Sequence, residues 1–500
     1  MRNFFLLIPL LILACAATEP TEPNTLVIGI ETGPATLDPR YATDAVSTNI
    51  SGLVYSGLFK RNAKMALEPE LASGVRRPDG LTYVIELKKG VRFHSGEKFS
   101  ARDVRYTFES ILNKKSASPK RSALEKIKSI KTPDPHTVVI TLKEPFAPFM
   151  GSLTIGIVPE NSDDLKKNPA GTGPFRFVDY ERGSRLRLAA NKDYFGGAPE
   201  LSGVIFKILP DETVRLLELK KGGVHLVQNP ITPAVLPWLE KQDGIVVKKM
   251  EGTNVSYIGF NMQDKILSNV KVRRAIAHAI DRESIIRYLL KNLAVKTPTL
   301  LASANPFHDG ELAGIGYDPE KSKKLLDEAG YRNPGGGKPR FRLTYKTSKN
   351  PTRKKIAEII AQQLSKVGIK ITIKSFEWGT FFSDIKNGNF QMYSLTWVGI
   401  ADPDIYHYIF HSKNVPPKGA NRGRYVNAAL DALLDKGRRE TEFANRKKIY
   451  GEVQKIIYND APYVHLWVSV NVAAMNRMVK GFEMYPDESL GSLAHARLEE

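Results

Sequence analysis

Cysteine is almost absent from this sequence, because the 500 residues contain only Cys15. A single thiol cannot form an intramolecular disulfide, and the rest of the chain has no thiolate with which to bind a metal. After the N-terminus, no apolar run reaches the roughly 20 residues that a membrane-spanning helix needs. Hydrophobic residues make up 42% and charged residues 25% of the chain, as in ordinary globular proteins.

The common catalytic and nucleotide-binding motifs are missing as well. GTGPFRF at 171–177 begins like a dinucleotide loop, but Pro174 follows its second glycine and Arg176 stands where the third would be. GGGK at 335–338 lacks the earlier glycine of a P-loop, and Pro339 replaces its Ser or Thr. No G-x-S-x-G elbow displays a serine nucleophile. These absences argue against an enzyme, and we expect no cofactor.

One pair of histidines has a spacing that is compatible with a metal site. His407 and His411 are four residues apart, the spacing of two ligands on one helix face. Tyr408 stands where a zinc hydrolase carries its glutamate, so H-E-x-x-H is absent, although Asp402 and Asp404 could supply carboxylates. The alternative is that D-P-D forms a turn and a helix N-cap, with both histidines partly buried on the following helix. We favour that structural alternative.

The N-terminus has the layout of a secretory signal. Arg2 precedes an apolar run from Phe4 to Leu13, and a polar tether follows Cys15. ILAC resembles the lipobox of bacterial lipoproteins, which implies cleavage after residue 14 and acylation of Cys15. We therefore expect a membrane-anchored lipoprotein of the cell envelope, facing the periplasm or the exterior.

The formal net charge is +20. Lysines and arginines are spread along the whole chain without a dense arm, which favours a solvated basic surface over nucleic-acid binding.

From about Asn24 the sequence alternates strand and helix patterns, which predicts an α/β protein. It predicts a strand at 26–30, two strands within 81–93 that turn at Lys89-Gly90, and a hairpin around Arg182-Gly183. Ser100 with Asp103 has the spacing of a helix capping box. Further predictions are one amphipathic helix over 271–290, a β-α-β unit over 341–376 and an apolar strand at 464–475.

Several long segments together resemble one family, the solute-binding proteins of dipeptide, oligopeptide and nickel ABC importers. The matching segments lie in the family's order at 36–59, 68–111, 171–226, 259–286 and 376–404. The resemblance implies a two-lobed periplasmic-binding-protein-like fold with an extra domain inserted in the N-terminal lobe. It implies residues 1–14 as signal peptide, 15–23 as tether, 24–57, 172–258 and 468–500 as lobe I, 58–171 as the inserted domain, and 259–467 as lobe II. The hinge would lie near Gly259-Phe260 and Val468–Val470.

The same resemblance implies the residues that line the ligand pocket. A tryptophan of an E-W-x-x-F segment and another 19 residues later match Trp378 and Trp397. On the facing lobe, family members contact the ligand through the residues after the first strand, here Glu31, Thr32 and Gly33. Three further pocket candidates, each with an equally good core or surface alternative, are Tyr106, Asn421 and Arg424.

Ile400 departs from the pattern of the peptide-binding members. They carry an aspartate three residues after the second tryptophan, where it pairs with the ammonium group of the ligand. An ammonium buried against isoleucine would stay unpaired, at a cost of several kcal/mol. We therefore expect a ligand other than a peptide anchored by its free amine: a blocked or modified peptide, a saccharide or a metal chelate.

Taken together, we expect a monomeric, non-catalytic receptor that captures a small peptide-like or related solute by hinge closure. It would deliver the solute to the transmembrane permease subunits of an ABC importer. The alternatives are a nickel-chelate or other metal-chelate binder, an envelope receptor or chaperone of the same fold, and a metal-dependent envelope hydrolase.

Overall fold

A computed structural model describes residues 23–162, 165 and 168–499. The predicted signal peptide, Cys15 and most of the tether lie outside the described residues. Across the described part of the chain, every helix is too short or too polar to cross a membrane.

The described residues form strands and helices in mixed order. The strands are β1 Thr25–Ile30, β2 Phe59–Arg61, β3 Leu67–Pro69, β4 Ala72–Arg76, β5 Thr82–Leu87, β6 Ile127–Asp134, β7 Thr137–Leu142, β8 Phe175–Glu181, β9 Arg185–Ala190, β10 Gly203–Ile208, β11 Leu226–Gln228, β12 Ile245–Phe260, β13 Ala294–Lys296, β14 Phe341–Ser348, β15 Ile369–Phe376, β16 Met392–Trp397, β17 Tyr463–Asn476, β18 Val479–Lys480 and β19 Arg497–Leu498. The α-helices are α1 Ala45–Val54, α2 Ala101–Leu112, α3 Arg121–Leu124, α4 Phe149–Ser152, α5 Glu212–Lys221, α6 Leu236–Leu239, α7 Val270–Ala279, α8 Arg282–Ser284, α9 Pro319–Glu328, α10 Pro351–Ser365, α11 Trp378–Asn387, α12 Ile405–Phe410, α13 Ala428–Arg439 and α14 Phe443–Asp460. Short 3-10 turns cover Lys114–Ser116 and Gly491–His495, and a π-helical turn covers Ile285–Leu289.

One large sheet links two lobes. Its strand order is β15-β14-β16-β12-β17-β11-β1-β10-β9-β8, with β13 added beside β17. The long antiparallel strands β12 and β17 run through both halves. We call the half with β1 and β8–β11 lobe I, and the half with β14–β16 lobe II. Lobe I buries β1 and β10 in one apolar core, and lobe II buries α7, α10 and β14 in another.

The two long strands lose their regular register between the lobes. Pairing shifts between Glu251, opposite Val470, and Val255, opposite Val468. An irregularity of this kind bends and twists a strand pair. A second shift follows between Ser256 and Tyr257. We call the segment Glu251–Val255 with Val468–Val470 the crossover, because the two long strands pass there from one half of the sheet to the other.

A separate unit with its own core follows α1. Its antiparallel sheet has the order β4-β5-β7-β6, and α2 packs beside β6 and β7. The buried residues of its core lie between Leu58 and Ile157 along the chain. We call this separate unit the small unit. The capping box of α2 is confirmed, since Ser100 accepts from the Arg102 amide and the Asp103 carboxylate accepts from the Ser100 amide. The predicted domain bounds stay predictions.

Several local predictions are confirmed and two are wrong. The hairpin at Gly183, the parallel β14-α10-β15 unit and the late strand β17 are present. The second strand expected within 81–93 is not formed, because residues after Leu87 make only an isolated bridge between Arg92 and Lys98. The expected single helix over 271–290 breaks at Ile280, because the Asp281 carboxylate accepts from the Ser284 amide and caps a new helix.

Candidate functional site

The register of the large sheet brings two predicted loops to the crossover. β16 is antiparallel to β12 and ends at Trp397, which lies opposite Val255. β1 is parallel to β11, whose last residue, Gln228, lies opposite Ala473 of β17. The segments after Trp397 in lobe II and after Ile30 in lobe I therefore both leave their strands beside the crossover.

Trp397 belongs to a stack of aromatic rings around one arginine. Tyr257 of β12 lies parallel to Trp397, with centroids 6.1 Å apart, and parallel to Tyr463 of β17 at 4.1 Å. On α11, Phe382 lies parallel to Trp378 at 5.4 Å. The guanidinium that joins these two groups is that of Arg422. We call these five rings and Arg422 the aromatic stack.

Arg422 lies over both halves of the stack. Its guanidinium carbon is 4.6 Å from the centroid of Trp397 and 5.3 Å from that of Phe382. Its Nη1 donates to the hydroxyl of Tyr257 at 2.9 Å. The side chain is 8% exposed, and no carboxylate of the described residues lies within ion-pairing distance. Arg215, Arg273 and Arg282 are buried without a carboxylate partner among those residues as well, but each donates to backbone carbonyls. The Arg422 guanidinium differs in facing aromatic rings and a tyrosine hydroxyl.

The two predicted tryptophans thus occur in one stack but differ in exposure. Trp397 is partly buried against the apolar core of lobe II, and its indole nitrogen is buried without a hydrogen-bond acceptor. Trp378 is 53% exposed at the start of α11. Their place in the pocket stays a prediction. Sequence reasoning missed Arg422, although it named Asn421 and Arg424 on either side, because an arginine in a turn usually indicates a solvated surface.

Ile400 lies in the apolar core of lobe II, 4% exposed. The preceding Gly399 has φ of 66° and donates its amide to the side chain of Asn254 in the crossover. The segment after Trp397 is therefore tied directly to the crossover. The Ile400 side chain packs in the core and carries no charge. Its place in the pocket stays a prediction.

Asp402 and Asp404 bind arginines, so neither is free to ligate a metal. Asp402 makes a bidentate pair with Arg446 of α14, at 2.7 and 2.9 Å, and accepts from the Asp404 amide as in a turn. Asp404 stands at the N-cap position of α12, but its side chain caps no amide and lies 2.9 Å from Nε of Arg438. Burial raises the pKa of Asp404 to about 6, although Arg438 opposes the shift. The expected turn is confirmed, and the expected side-chain cap is wrong.

His407 and His411 meet a third possible ligand, Asp435 of α13. The Nε2 atoms of both rings lie 3.4 Å from one Asp435 carboxylate oxygen. The Nδ1 atom of His411 accepts the Lys413 amide, and that of His407 faces the Asn414 amide group. The Nε2 atoms of both rings, which face Asp435, are the atoms that would have to bind the metal.

The charge around these histidines also opposes a cation. Nη1 of Arg438 lies 3.4 Å from Nε2 of His407, and burial, followed by Arg438, lowers the pKa of His407 to about 4. The two imidazoles, Asp435 and Arg438 form a polar cluster between α12 and α13, in which a cation would have to compete with the Arg438 guanidinium. This disfavours the hydrolase alternative.

On lobe I, Glu31 and Thr32 are exposed after β1 and Gly33 is partly buried. A side chain at Gly33 would lie 2.0 Å from the hydroxyl of Tyr180, so this turn has room only for glycine. Tyr106 lies elsewhere, on α2, where Arg40 sits 6.0 Å from its ring centroid. It packs against the core of lobe I.

The other two candidates serve the fold of lobe II. Asn421 is buried, donates to the carbonyls of His411 and Tyr425, and accepts the Tyr425 amide. These bonds hold the loop between α12 and α13 and occupy the polar atoms of the side chain. Arg424, with φ of 57°, donates to the carbonyls of Asn421 and Lys386.

A cavity of about 430 Å³ separates the small unit from lobe II. Met65, Leu67 and Met150 line it from one side, and Ala401 and Phe443 from the other. Ala147, which also lines the cavity, donates its amide to the carbonyl of Arg438 at 2.7 Å and so joins the small unit to lobe II. The residues after Trp397 therefore border both the crossover and this cavity.

Residues 66–416 match the family described as "Bacterial extracellular solute-binding proteins, family 5 Middle". This chain belongs to that family. The oligopeptide-binding protein AppA of Bacillus subtilis is 30% identical over 95% of this chain and 92% of its own length. Its structure in complex with a nonapeptide has a TM-score of 0.76 at 28% identity, covering 95% of this chain and 99% of that one.

A second structure, HbpA2 from Haemophilus parasuis, has a TM-score of 0.86 at 28% identity and covers 95% of this chain and all of that one. The expected family and the two-lobed α/β fold are thereby confirmed. The chain is a solute-binding protein.

Proposed function

We propose that this chain is the non-catalytic receptor of an ABC importer and binds a peptide-like solute between lobes I and II. Its likeness to AppA, an oligopeptide-binding protein, supports the solute class. The observation that supports the proposal is the strand register, which ends β16 opposite the crossover and directs the end of β1 towards it. A solute that contacts both segments favours the closed arrangement of the lobes, by the difference in its affinity for the two arrangements.

The proposal extends to delivery and location. The closed receptor, as a monomer, would dock on the permease subunits and release its solute there. Acylation of Cys15 would hold it at the membrane surface, within reach of the permease.

Thermal unfolding tests the binding step. A tryptic digest of casein supplies many peptides, and a solute at a hundred times its Kd adds about 2.7 kcal/mol to stability. We expect a higher melting temperature with the digest and no change with the same mass of mixed saccharides. A shift with saccharides alone, or with nickel–histidine alone, would contradict the peptide-like class.

A further inference from the structure

Two neighbouring side chains in the aromatic stack have N–H donors and no carboxylate partner among the described residues. Arg422 donates from Nη1 to the Tyr257 hydroxyl and also lies within hydrogen-bonding reach of the Tyr393 hydroxyl. The indole N–H of Trp397, whose ring Arg422 covers at 4.6 Å, is buried without an acceptor. A buried donor in this state calls for an explanation, and a bound acceptor is one such explanation.

The surroundings keep Arg422 in position and unpaired. Trp397 and Phe382 hold the flat guanidinium by cation–π contact. The aspartates that follow Trp397, Asp402 and Asp404, are directed to Arg446 and Arg438 instead. Asp431 and Asp435, which follow Arg422, face the two histidines on α12 and at its end. Ile400, the third residue after Trp397, brings no negative charge. No carboxylate of the described residues therefore pairs with the Arg422 charge.

We propose that Arg422 and Trp397 form an anion subsite, which takes the carboxylate of the peptide-like solute. A guanidinium offers parallel N–H donors that match the two oxygens of a carboxylate, and a carboxylate only accepts. The inference rests on the proposed function and narrows its solute class. The solute is recognised by its acid group, and a free amine is not required.

Chemically blocked peptides test this directly. We would use three casein digests: untreated, acetylated at its amines, and methyl-esterified at its carboxylates. Each is incubated with the wild-type protein, and retained peptides are detected by native mass spectrometry. We expect retention from the untreated and acetylated digests and none from the esterified one.

Variants then locate the recognition. For the best-retained acetylated peptide, Arg422→Met should weaken binding by about 10- to 100-fold, since charge-assisted hydrogen bonds are lost. Trp397→Phe keeps an aromatic ring but removes the indole N–H donor, so it should weaken binding by about 3- to 10-fold. This second variant keeps the test decisive if Arg422→Met does not fold. The matched control is Arg274→Met, which removes an arginine lying 5.7 Å over Tyr458 in lobe II. It should leave the affinity unchanged in calorimetry.

The outcomes separate the two claims. Retention of the esterified digest with loss of the acetylated one would overturn the anion subsite and leave peptide binding intact. Equal affinity of wild type and both site variants would overturn it as well. If no digest is retained, the peptide-like solute of the proposed function is refuted, and the subsite falls with it.

Discussion

Asp402 and Asp404 stand two residues apart, and we expect their replacement to have opposite effects on stability. Asp402 pairs through both oxygens with Arg446, whose side chain is 7% exposed. Loss of one partner of a buried ion pair costs about 3–5 kcal/mol, whereas exposed pairs contribute under about 1 kcal/mol. Asp402 is 29% exposed. We therefore expect Asp402→Asn to lower the free energy of unfolding by about 2 kcal/mol.

Asp404 should behave differently because its pair has poor geometry. The carboxylate and Nε of Arg438 are close, but both atoms are buried without a hydrogen bond. Burial raises the pKa of this acid to about 6, so folding disfavours its ionised form. The penalty is absent below about pH 3.8, grows towards pH 6 and is complete above it. Asp404→Asn should therefore be neutral or stabilising at pH 8, by at most about 3 kcal/mol, and have no effect near pH 4.

Denaturant titrations at pH 8 compare the two variants, and Arg446→Met provides a double-mutant cycle. When Arg446 is already replaced by Met, Asp402→Asn should change the free energy of unfolding much less, because the arginine charge that Asp402 neutralises is gone. The reasoning is refuted if Asp404→Asn destabilises as strongly as Asp402→Asn at pH 8. It is also refuted if the effect of Asp402→Asn is unchanged without Arg446.

Three further predictions concern the fold around the site. Burial, followed by the charge of Arg282, lowers the pKa of His465 to about 3. Neutral His465 therefore contributes stability above pH 6.5, and this contribution is lost as the pH falls towards 3. In His465→Gln the melting temperature should fall less between pH 6.5 and pH 4 than in the wild type. Gly33→Ala should destabilise the protein by about 1–3 kcal/mol in denaturant titrations, and Tyr180→Phe should restore part of it by removing the hydroxyl that a methyl group would strike. Arg77, in the small unit, donates to the carbonyl of Thr441 in lobe II. Arg77→Ala should widen the distribution of label-to-label distances between the small unit and lobe II. It should change the free energy of unfolding by under about 1 kcal/mol.

Sequence patterns predicted most of the fold because each of those elements carries a local signal. The capping box at Ser100, the glycine turn at Gly183 and the apolar run in β17 are all readable within about ten residues. The expected long helix over 271–290 failed because Asp281 is also a good N-cap, and its bond to Ser284 begins a new turn. Helix periodicity alone does not reveal such a competing cap.

The site was only partly predictable because it depends on contacts between distant segments. Trp378 and Trp397 came from a family resemblance, and the link between them, Arg422, lies 25 residues beyond Trp397 in a loop without a pattern. The partners of Asp402 and Asp404 are arginines more than 30 residues away. Only the packing of α12, α13 and α14 brings these charges together.

Ligand-driven closure at the crossover is the central claim, and a distance between the lobes tests it most directly. With Cys15→Ser the chain has no cysteine, so Lys221→Cys on α5 of lobe I and Lys447→Cys on α14 of lobe II can be labelled alone. Pulsed electron–electron resonance would then compare the two labels with and without the casein digest. We predict a shorter and narrower distance with peptides. A distribution that peptides leave unchanged, in a protein that retains them, would contradict closure.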